Sequence, residues 1–221
     1  MTSALALLLG DGRLPTGGHV HSGGLEQARS DGRLTGLADL EGWLRRRLRT
    51  SAAVAAGVAA AACVAPHRYA DLDAETDART PSPAQREASR SQGRGLLRLA
   101  AATWPDTGPP GGWSALGRRP HHAVALGVAA AAAGLGPTDA AAAAVYLAVS
   151  GPAGAAQRLL ALDPVAVAAL TARLAAEMDG VVATAVAAAA GPLHDLPSPS
   201  DPLLDVLAER HAAAPDRLFA S

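Results

Sequence analysis

The sequence has no lysine, a single cysteine (Cys63) and few aromatic residues, which make up 3% of its 221 positions. One cysteine can form neither an internal disulfide framework nor a CxxC metal site, and it suits a reducing compartment. All 19 basic residues are arginine, and with 20 acidic residues they leave a net charge of -1. The chain therefore has no overall basic field that would attract nucleic acid or anionic lipid.

Features of export and membrane insertion are also scarce. Residues 1–9 carry no positive charge before their short apolar run, unlike a secretory signal. The longest apolar stretch, residues 52–65, is shorter than the ~18 residues that a membrane-spanning helix needs. We therefore expect a cytoplasmic protein that binds neither nucleic acid nor a membrane, with residues 52–65 forming a buried helix.

What is abundant points to helices. The hydrophobic fraction of 49% comes almost wholly from alanine, leucine and valine, and alanine has the highest helix propensity. Alternating β-branched runs are absent. The sequence predicts an all-α fold of about eight to ten helices in a single domain, residues 1–221, with a Gly-rich N-terminal loop and a short C-terminal tail. A helix kink or break is expected near Gly151–Pro152.

Several helix starts are marked by a capping residue followed by proline. At Ser82–Pro83, Gln85 follows the capping serine by three residues, which predicts a reciprocal capping box. A second helix is expected to run from Asp163–Pro164 to a stop at Gly191–Pro192. The last one is expected to start at Asp201–Pro202.

One further helix is indicated by a stripe of apolar residues at helical spacing. Arginines lie towards its expected end, where positive charge complements the helix dipole. These arginines form either a solvated helix end or a docking patch for an acidic partner. The apolar residues are Leu40, Trp43, Leu44 and Leu48, and the arginines are Arg45, Arg46, Arg47 and Arg49.

The loop of residues 10–24, with the two residues that follow, reads GDGRLPTGGHVHSGGLE. A Gly-rich loop before a helix can hold phosphate through backbone N–H groups. This one lacks the Lys-Ser/Thr of a P-loop and the spacing of a GxGxxG motif. The favoured interpretation is that the glycines permit tight turns, with Ser22 as the helix N-cap. A second long loop, residues 104–119, is rich in proline and glycine.

Histidines raise the possibility of a metal site. His19 and His21 form an HxH pair, and His121 and His122 are adjacent. Imidazole binds Ni, Zn and Cu, but a stable site needs three or four converging ligands. No nucleophile, base and acid can be paired from their spacing either. We expect no cofactor, no stable metal and no catalytic residue. The alternative is a small helical metal-binding protein or enzyme that uses the His19/His21 loop.

Four segments, in order, resemble the UreF family of urease accessory proteins. LPTGGHVHSGGLE (14–26) is similar to the family's N-terminal signature, and REASRSQGRGLLRL (86–99) to its middle helix. Residues 122–162 resemble its paired helices, and RHAAAPDRLFAS (210–221) its C-terminal pattern. The chain departs from the family pattern at His19, Ala212, Asp163 and Pro164.

The resemblance implies an all-α, dimer-forming protein without catalytic activity. Such proteins dock on the accessory protein UreD, also called UreH, and recruit the GTPase UreG, so that nickel reaches apo-urease. The residues that the resemblance nominates for partner binding lie in the first and last segments. They are Leu14, Pro15, Gly17, Gly18, His21, Ser22, Glu26, His211, Arg217, Leu218 and Phe219.

The C-terminal tail carries the sharpest expectation, because Phe219 is the only phenylalanine in the chain. Leu218 and Phe219 follow Pro215 with little helix to bury them, and terminal segments are disordered unless something holds them. We expect an unattached tail whose Phe219 anchors a partner, so that removing it abolishes binding without changing stability. The competing possibility is that Phe219 folds back into its own core.

Overall fold

The computed structural model describes residues 4–221, and this part of the chain contains 10 helices and no strand. The all-α prediction is confirmed, and residues 1–3 of the apolar N-terminal run lie outside the described part. The helices are α1 (Ala4–Leu9), α2 (Leu25–Ser30), α3 (Leu37–Val64), α4 (Tyr69–Ala78), α5 (Pro83–Thr103), α6 (His122–Ala132), α7 (Pro137–Leu160), α8 (Pro164–Arg173), α9 (Ala175–Ala189) and α10 (Pro202–Ala213).

Helix α3 is the centre of the fold, with α6, α7 and α9 packed around it. Its predicted apolar stripe is confirmed, since Leu40, Trp43, Leu44 and Leu48 are all buried. The sequence predicts that this helix ends after the arginines, and that prediction is wrong. The helix continues through one π turn, Leu48–Ala52, into the alanine-rich stretch. The arginines therefore lie in mid-helix.

The continuity of α3 corrects the expectation that its apolar part is too short to span a bilayer. Leu37–Val64 has 28 residues and is long and apolar enough to cross a membrane by length and composition. However, 61% of its apolar window is buried inside the protein, against other helices of the same chain. The core helix of a folded domain meets the same length and composition criteria, and this packing gives α3 that role.

Close helix packing depends on glycine where α3 crosses α6. A Cβ atom placed on Gly127 would lie 2.2 Å from the carbonyl oxygen of Ala59 and 2.6 Å from the Cβ of Ala62. Only glycine lets the two helix backbones approach this closely. Because α3 also contacts α7 and α9, the spacing at this crossing affects the whole core.

The predicted helix starts are confirmed. The hydroxyl of Ser82 accepts a hydrogen bond from the N–H of Gln85 (3.1 Å), and Asp163 and Asp201 cap α8 and α10 in the same way. The capping box at α5 is only half formed. The side-chain amide of Gln85 donates to Asp205 on α10 (3.0 Å) rather than turning back to its own helix start.

The helix boundaries predicted for residues 163–192 are partly wrong. The helix expected from Asp163 is two helices, α8 and α9, separated at Leu174, whose side chain is fully buried. The Leu174 N–H is shared between the carbonyls of Leu170 and Thr171, as in a tightened last turn. The apolar pattern continues across this point, so periodicity alone does not reveal the interruption. The predicted stop at Gly191–Pro192 is confirmed within two residues.

Of the kink or break expected near Gly151–Pro152, the break does not occur, because α7 runs through Pro152. Proline has no N–H, so the carbonyl four residues earlier, on Ala148, loses its partner within the helix. The side chain of Arg47 on α3 replaces that partner, since its Nε donates to the Ala148 oxygen (3.3 Å). A contact from another helix therefore compensates for the proline.

Candidate partner-binding site

The C-terminal tail lies on the Gly-rich loop rather than free in solvent. The backbone N–H groups of Ser22 and Gly23 donate to the main-chain oxygen of Ser221 (2.5 and 3.2 Å), and the Ser22 hydroxyl donates to it as well (2.8 Å). The Ala220 N–H donates to the oxygen of Val20 (2.7 Å). We call residues 17–26, His211 and residues 214–221 together the loop–tail cluster.

Glu26 and His211 hold the tail in the middle. The Glu26 carboxylate accepts one hydrogen bond from the N–H of Leu218 (2.8 Å) and another from the N–H of Phe219 (3.0 Å). The Nε2 of His211, a buried side chain on α10, is 3.2 Å from the Phe219 carbonyl oxygen and 3.8 Å from the Glu26 carboxylate. The main-chain N–H and carbonyl of Phe219 are therefore both satisfied within the cluster.

Phe219 belongs to the core, so the expectation of an unattached tail is wrong. Its side chain is 7% exposed, and the guanidinium of Arg158 on α7 lies 4.6 Å above the ring, in cation–π geometry. Arg158 also donates to the main-chain oxygen of His19 (2.9 Å), which fixes the loop to the same helix. Leu218, by contrast, is 80% exposed. The two apolar residues of the tail therefore face different surroundings.

The glycines of the loop make this packing possible. Gly23 and Gly24 have φ of 65° and 86°, in the left-handed region, and Gly24 rather than Ser22 occupies the N-cap of α2. The predicted cap is partly confirmed, because the Ser22 hydroxyl donates to Ser221 and its oxygen also accepts a hydrogen bond from the N–H of Glu26 in the first turn of α2 (3.4 Å). The N–H groups of Ser22 and Gly23 are bonded to the tail, so they are not free to hold a phosphate group. These contacts favour the tight-turn interpretation.

The structure brings most of the nominated residues together, and the others lie beside the cluster. Gly17 and Gly18 open the cluster, as the N-cap and first residue of the one-turn helix Gly18–Val20. Leu14 and Pro15 precede it, next to Thr16, whose backbone lies so close to α5 that a Cβ on Gly95 would be 2.8 Å away. Arg217 is exposed and donates weakly to the Ala212 oxygen (3.4 Å).

The histidines of the loop do not form a metal site with the neighbouring residues. His21 is partly buried with its Nδ1 2.6 Å from the Ser221 hydroxyl, and burial, with a smaller effect of His19, lowers its pKa. Burial also lowers the pKa of His122 to about 4, with a smaller effect of His21. Both rings are therefore neutral at pH 7. Among residues 4–221, the group of three potential ligands that converges lies elsewhere.

That group consists of Asp73, Asp77 and His121. Arg90 pairs with both carboxylates (2.9 and 2.6 Å), and His121 bonds to Asp77 and to the hydroxyl of Ser89 (2.9 and 3.0 Å). A cation would have to displace the guanidinium. We interpret the group as a structural ion-pair network that joins α4, α5 and the start of α6.

The arginines of α3 are engaged within the chain, which argues against a docking patch for an acidic partner. Arg45 pairs with Glu177 (2.8 Å), and Arg46 forms a two-pronged contact with Asp201 (2.7 Å for each bond). Arg49 lies 3.9 Å from Glu177. Arg47 differs from the others because it contacts only carbonyl oxygens, those of Ala148 and Gly23.

The sequence does not reveal the roles of Arg158, Ser221 and Arg47 at the loop–tail cluster. It indicates Arg47 only as a candidate for a docking patch, and Ser221 only as the end of a segment that resembles the family. Each of the three acts through a contact between segments far apart in the chain. The one available signal was the presence of both terminal segments in the family resemblance, which could have indicated that they meet.

Comparisons with known proteins cover the whole chain. The UreF family model matches residues 34–175. The chain is 53% identical over 220 residues to the urease accessory protein UreF of Mycobacterium marinum (strain ATCC BAA-535 / M), covering 100% of this chain and 99% of the relative. It is 53% identical to UreF of Mycobacterium sp. (strain JLS) and 51% to that of Mycobacterium tuberculosis (strain ATCC 25618 / H37Rv), each over 222 residues and 100% of both chains. These full-length matches include the loop–tail cluster, which lies outside the family-model match.

Proposed function

Because the chain belongs to the UreF family of urease accessory proteins, we propose that it docks on a UreD/UreH-like protein and recruits a UreG-like GTPase, so that nickel is inserted into apo-urease. The resemblance inferred from the sequence is confirmed. The chain is an accessory protein to urease rather than an enzyme. The observation that carries the proposal is the identity of more than half of all residues to UreF proteins over the full length.

The loop–tail cluster is our candidate for the surface that meets a partner. Its buried members, Ser22, His211 and Phe219, and the half-buried Glu26 are occupied by contacts within the chain, so we assign them a positioning role. The residues left for a partner are the exposed ones, chiefly Leu218 (80% exposed), Val20 (40%) and Arg217. An exposed leucine held on a rigid backbone is a suitable anchor, because little conformational entropy is lost when it binds.

Leu218→Asp tests this surface. The substitution should weaken capture of the UreD-like protein by about tenfold or more. In the complex, an apolar side chain buried by the partner would be replaced by a charge that must lose its water. The thermal midpoint should stay unchanged, because Leu218 makes its contact with Glu26 through the backbone. Co-purification of the partner at a series of concentrations measures the first effect, and circular dichroism measures the second.

Val64→Asp is the matched control. Val64 is also an exposed apolar residue (49%), but it lies at the far end of α3, roughly 25 Å along the helix axis from Arg47, which contacts the loop–tail cluster. If Leu218→Asp captures the UreD-like protein as well as wild type does, Leu218 is not the anchor. The same conclusion follows if Leu218→Asp and Val64→Asp lose partner capture equally.

We further infer that the protein is a homodimer and that residues 1–221 act as one unit in the cytosol. The dimer follows from the family resemblance. One domain is supported by a cluster of buried apolar side chains that extends from Leu9 to Phe219, and the cytosol by a buried, free Cys63. Light scattering on the purified protein should give twice 22.0 kDa. A mass of one chain at high micromolar concentration would contradict the dimer.

A further inference from the structure

Arg47 is a cation without a carboxylate partner. Among residues 4–221 it forms no ion pair within 4.0 Å, whereas its neighbours Arg45 and Arg46 both do. Its hydrogen bonds run from Nε to the Ala148 oxygen (3.3 Å) and from Nη1 to the Gly23 oxygen (3.3 Å). In the described part of the chain its Nη2 has no partner. One side of the guanidinium fork is therefore unused.

Arg47 lies in the wall of a large cavity. Arg47 lines a space of about 1280 Å³, together with the Gly-rich loop and parts of α3 and α7. Ser51, one turn after Arg47 on α3, lines the same cavity, and its buried hydroxyl oxygen has no hydrogen-bond partner. Both residues flank or belong to the π turn Leu48–Ala52, and such turns occur often at functional sites.

The charge of Arg47 is not balanced by its surroundings. Burial lowers its pKa to about 10, so the side chain remains protonated at neutral pH. Arg47 is half-buried, two carbonyl dipoles solvate its charge only in part, and a charge partly removed from water is costly unless it is paired. A bound anion would supply a negative charge beside the guanidinium and would accept hydrogen bonds from the unpartnered donors of Arg47 and Ser51.

The carboxylates that line the cavity are committed elsewhere. Asp201 pairs with Arg46, and Asp11 with Arg13. Asp139 accepts from the backbone of Gly136 (3.2 Å), and Asp205 accepts from the side chain of Gln85 (3.0 Å). The main-chain oxygen of Ser221, which also lines the cavity, accepts from the N–H groups of Ser22 and Gly23. None of these groups lies within 4.0 Å of the Arg47 guanidinium, so the described residues give Arg47 no contact ion pair.

We propose that Arg47 and Ser51 form a binding site for a small oxyanion, of the phosphate or carboxylate type. The Nη2 group of Arg47 and the hydroxyl of Ser51 donate hydrogen bonds to its oxygens. The planar fork of arginine matches both kinds of anion. Because Arg47 also contacts Gly23 and supports α7 at Pro152, the anion would stiffen the junction between the loop–tail cluster and α3.

Isothermal titration of the purified protein with sodium phosphate and, separately, with sodium acetate tests the site, with sodium chloride holding the ionic strength constant. We expect saturable binding of at least one of the two anions. Binding of phosphate alone would indicate a tetrahedral ligand, and binding of acetate alone would indicate a planar one. Arg47→Gln should weaken binding by about tenfold or more, because a charge-assisted hydrogen bond is lost.

Ser51→Ala keeps both carbonyl contacts of Arg47, so this variant still tests the anion site if Arg47→Gln does not fold. It should weaken binding by about two- to tenfold, the effect of one neutral hydrogen bond. Arg46→Gln, which removes a neighbouring arginine already paired with Asp201, should bind like wild type. Absence of saturable binding of either anion, or binding unchanged in Ser51→Ala, would overturn the proposal and leave Arg47 with a bracing role only.

Discussion

Replacing Phe219 by alanine should lower the free energy of unfolding by about 3–5 kcal/mol, the usual loss for a buried phenylalanine. The ring is 7% exposed and lies under Arg158, so the substitution removes both apolar burial and a cation–π contact. For a chain of this length the thermal midpoint should fall by roughly 10 °C. Thermal and urea denaturation, followed by circular dichroism, measure the change.

Leu218→Ala provides the comparison within the same tail. Because Leu218 is 80% exposed, its truncation should change stability by less than about 0.5 kcal/mol. If Phe219→Ala keeps the wild-type midpoint, the tail is not held as described and the loop–tail cluster does not exist in solution. Loss of partner capture in a destabilised Phe219 variant would be an indirect effect, which is why Leu218→Asp is the better probe of binding.

Gly127→Ala should be among the most damaging single-methyl changes in the described part of the chain, together with Gly93→Ala, whose new Cβ would lie 2.0 Å from the Pro120 oxygen. At Gly127 the new Cβ would lie 2.2 Å from the Ala59 oxygen, so α3 and α6 would have to separate. Overpacking of a tight core costs about 1–3 kcal/mol and occasionally more, and we expect the upper end of that range because backbone rather than a flexible side chain is in the way. Urea unfolding measures the loss, with reduced soluble yield as a further sign.

Gly180→Ala is the matched control on α9. No atom lies within 4 Å of the position of its Cβ, and alanine is favoured over glycine in a helix by about 1 kcal/mol. This variant should be as stable as wild type or more stable. Equal stability of Gly127→Ala and wild type would show that α3 and α6 are not in backbone contact at Ala59.

Local features of the fold could be predicted because their causes are local. Ser82, Asp163 and Asp201 each cap a helix through a bond to a residue two or three positions later, so the sequence contains both partners. The same reasoning failed where a distant residue changed the outcome. Pro152 does not break α7 because Arg47 supplies the missing donor, and no spacing rule connects those two positions.

The candidate site shows the same limit more clearly. Its residues could be nominated from two segments that resemble one family, but nothing within either segment shows that the two segments meet. The structure joins them, since Glu26 near the start accepts hydrogen bonds from Leu218 and Phe219 near the end. The contacts span more than 190 residues, and they turn the predicted free anchor into part of the core.

The central claim, that this chain acts in urease maturation, is tested most directly by reconstitution. Urease and the other accessory genes are expressed in nickel-containing medium with or without this chain, and both the activity and the nickel content of purified urease are measured. With the chain present we predict active, nickel-loaded urease, and without it urease that is made in equal amount but is inactive and poor in nickel. Equal activity and nickel content in the two preparations would contradict the account.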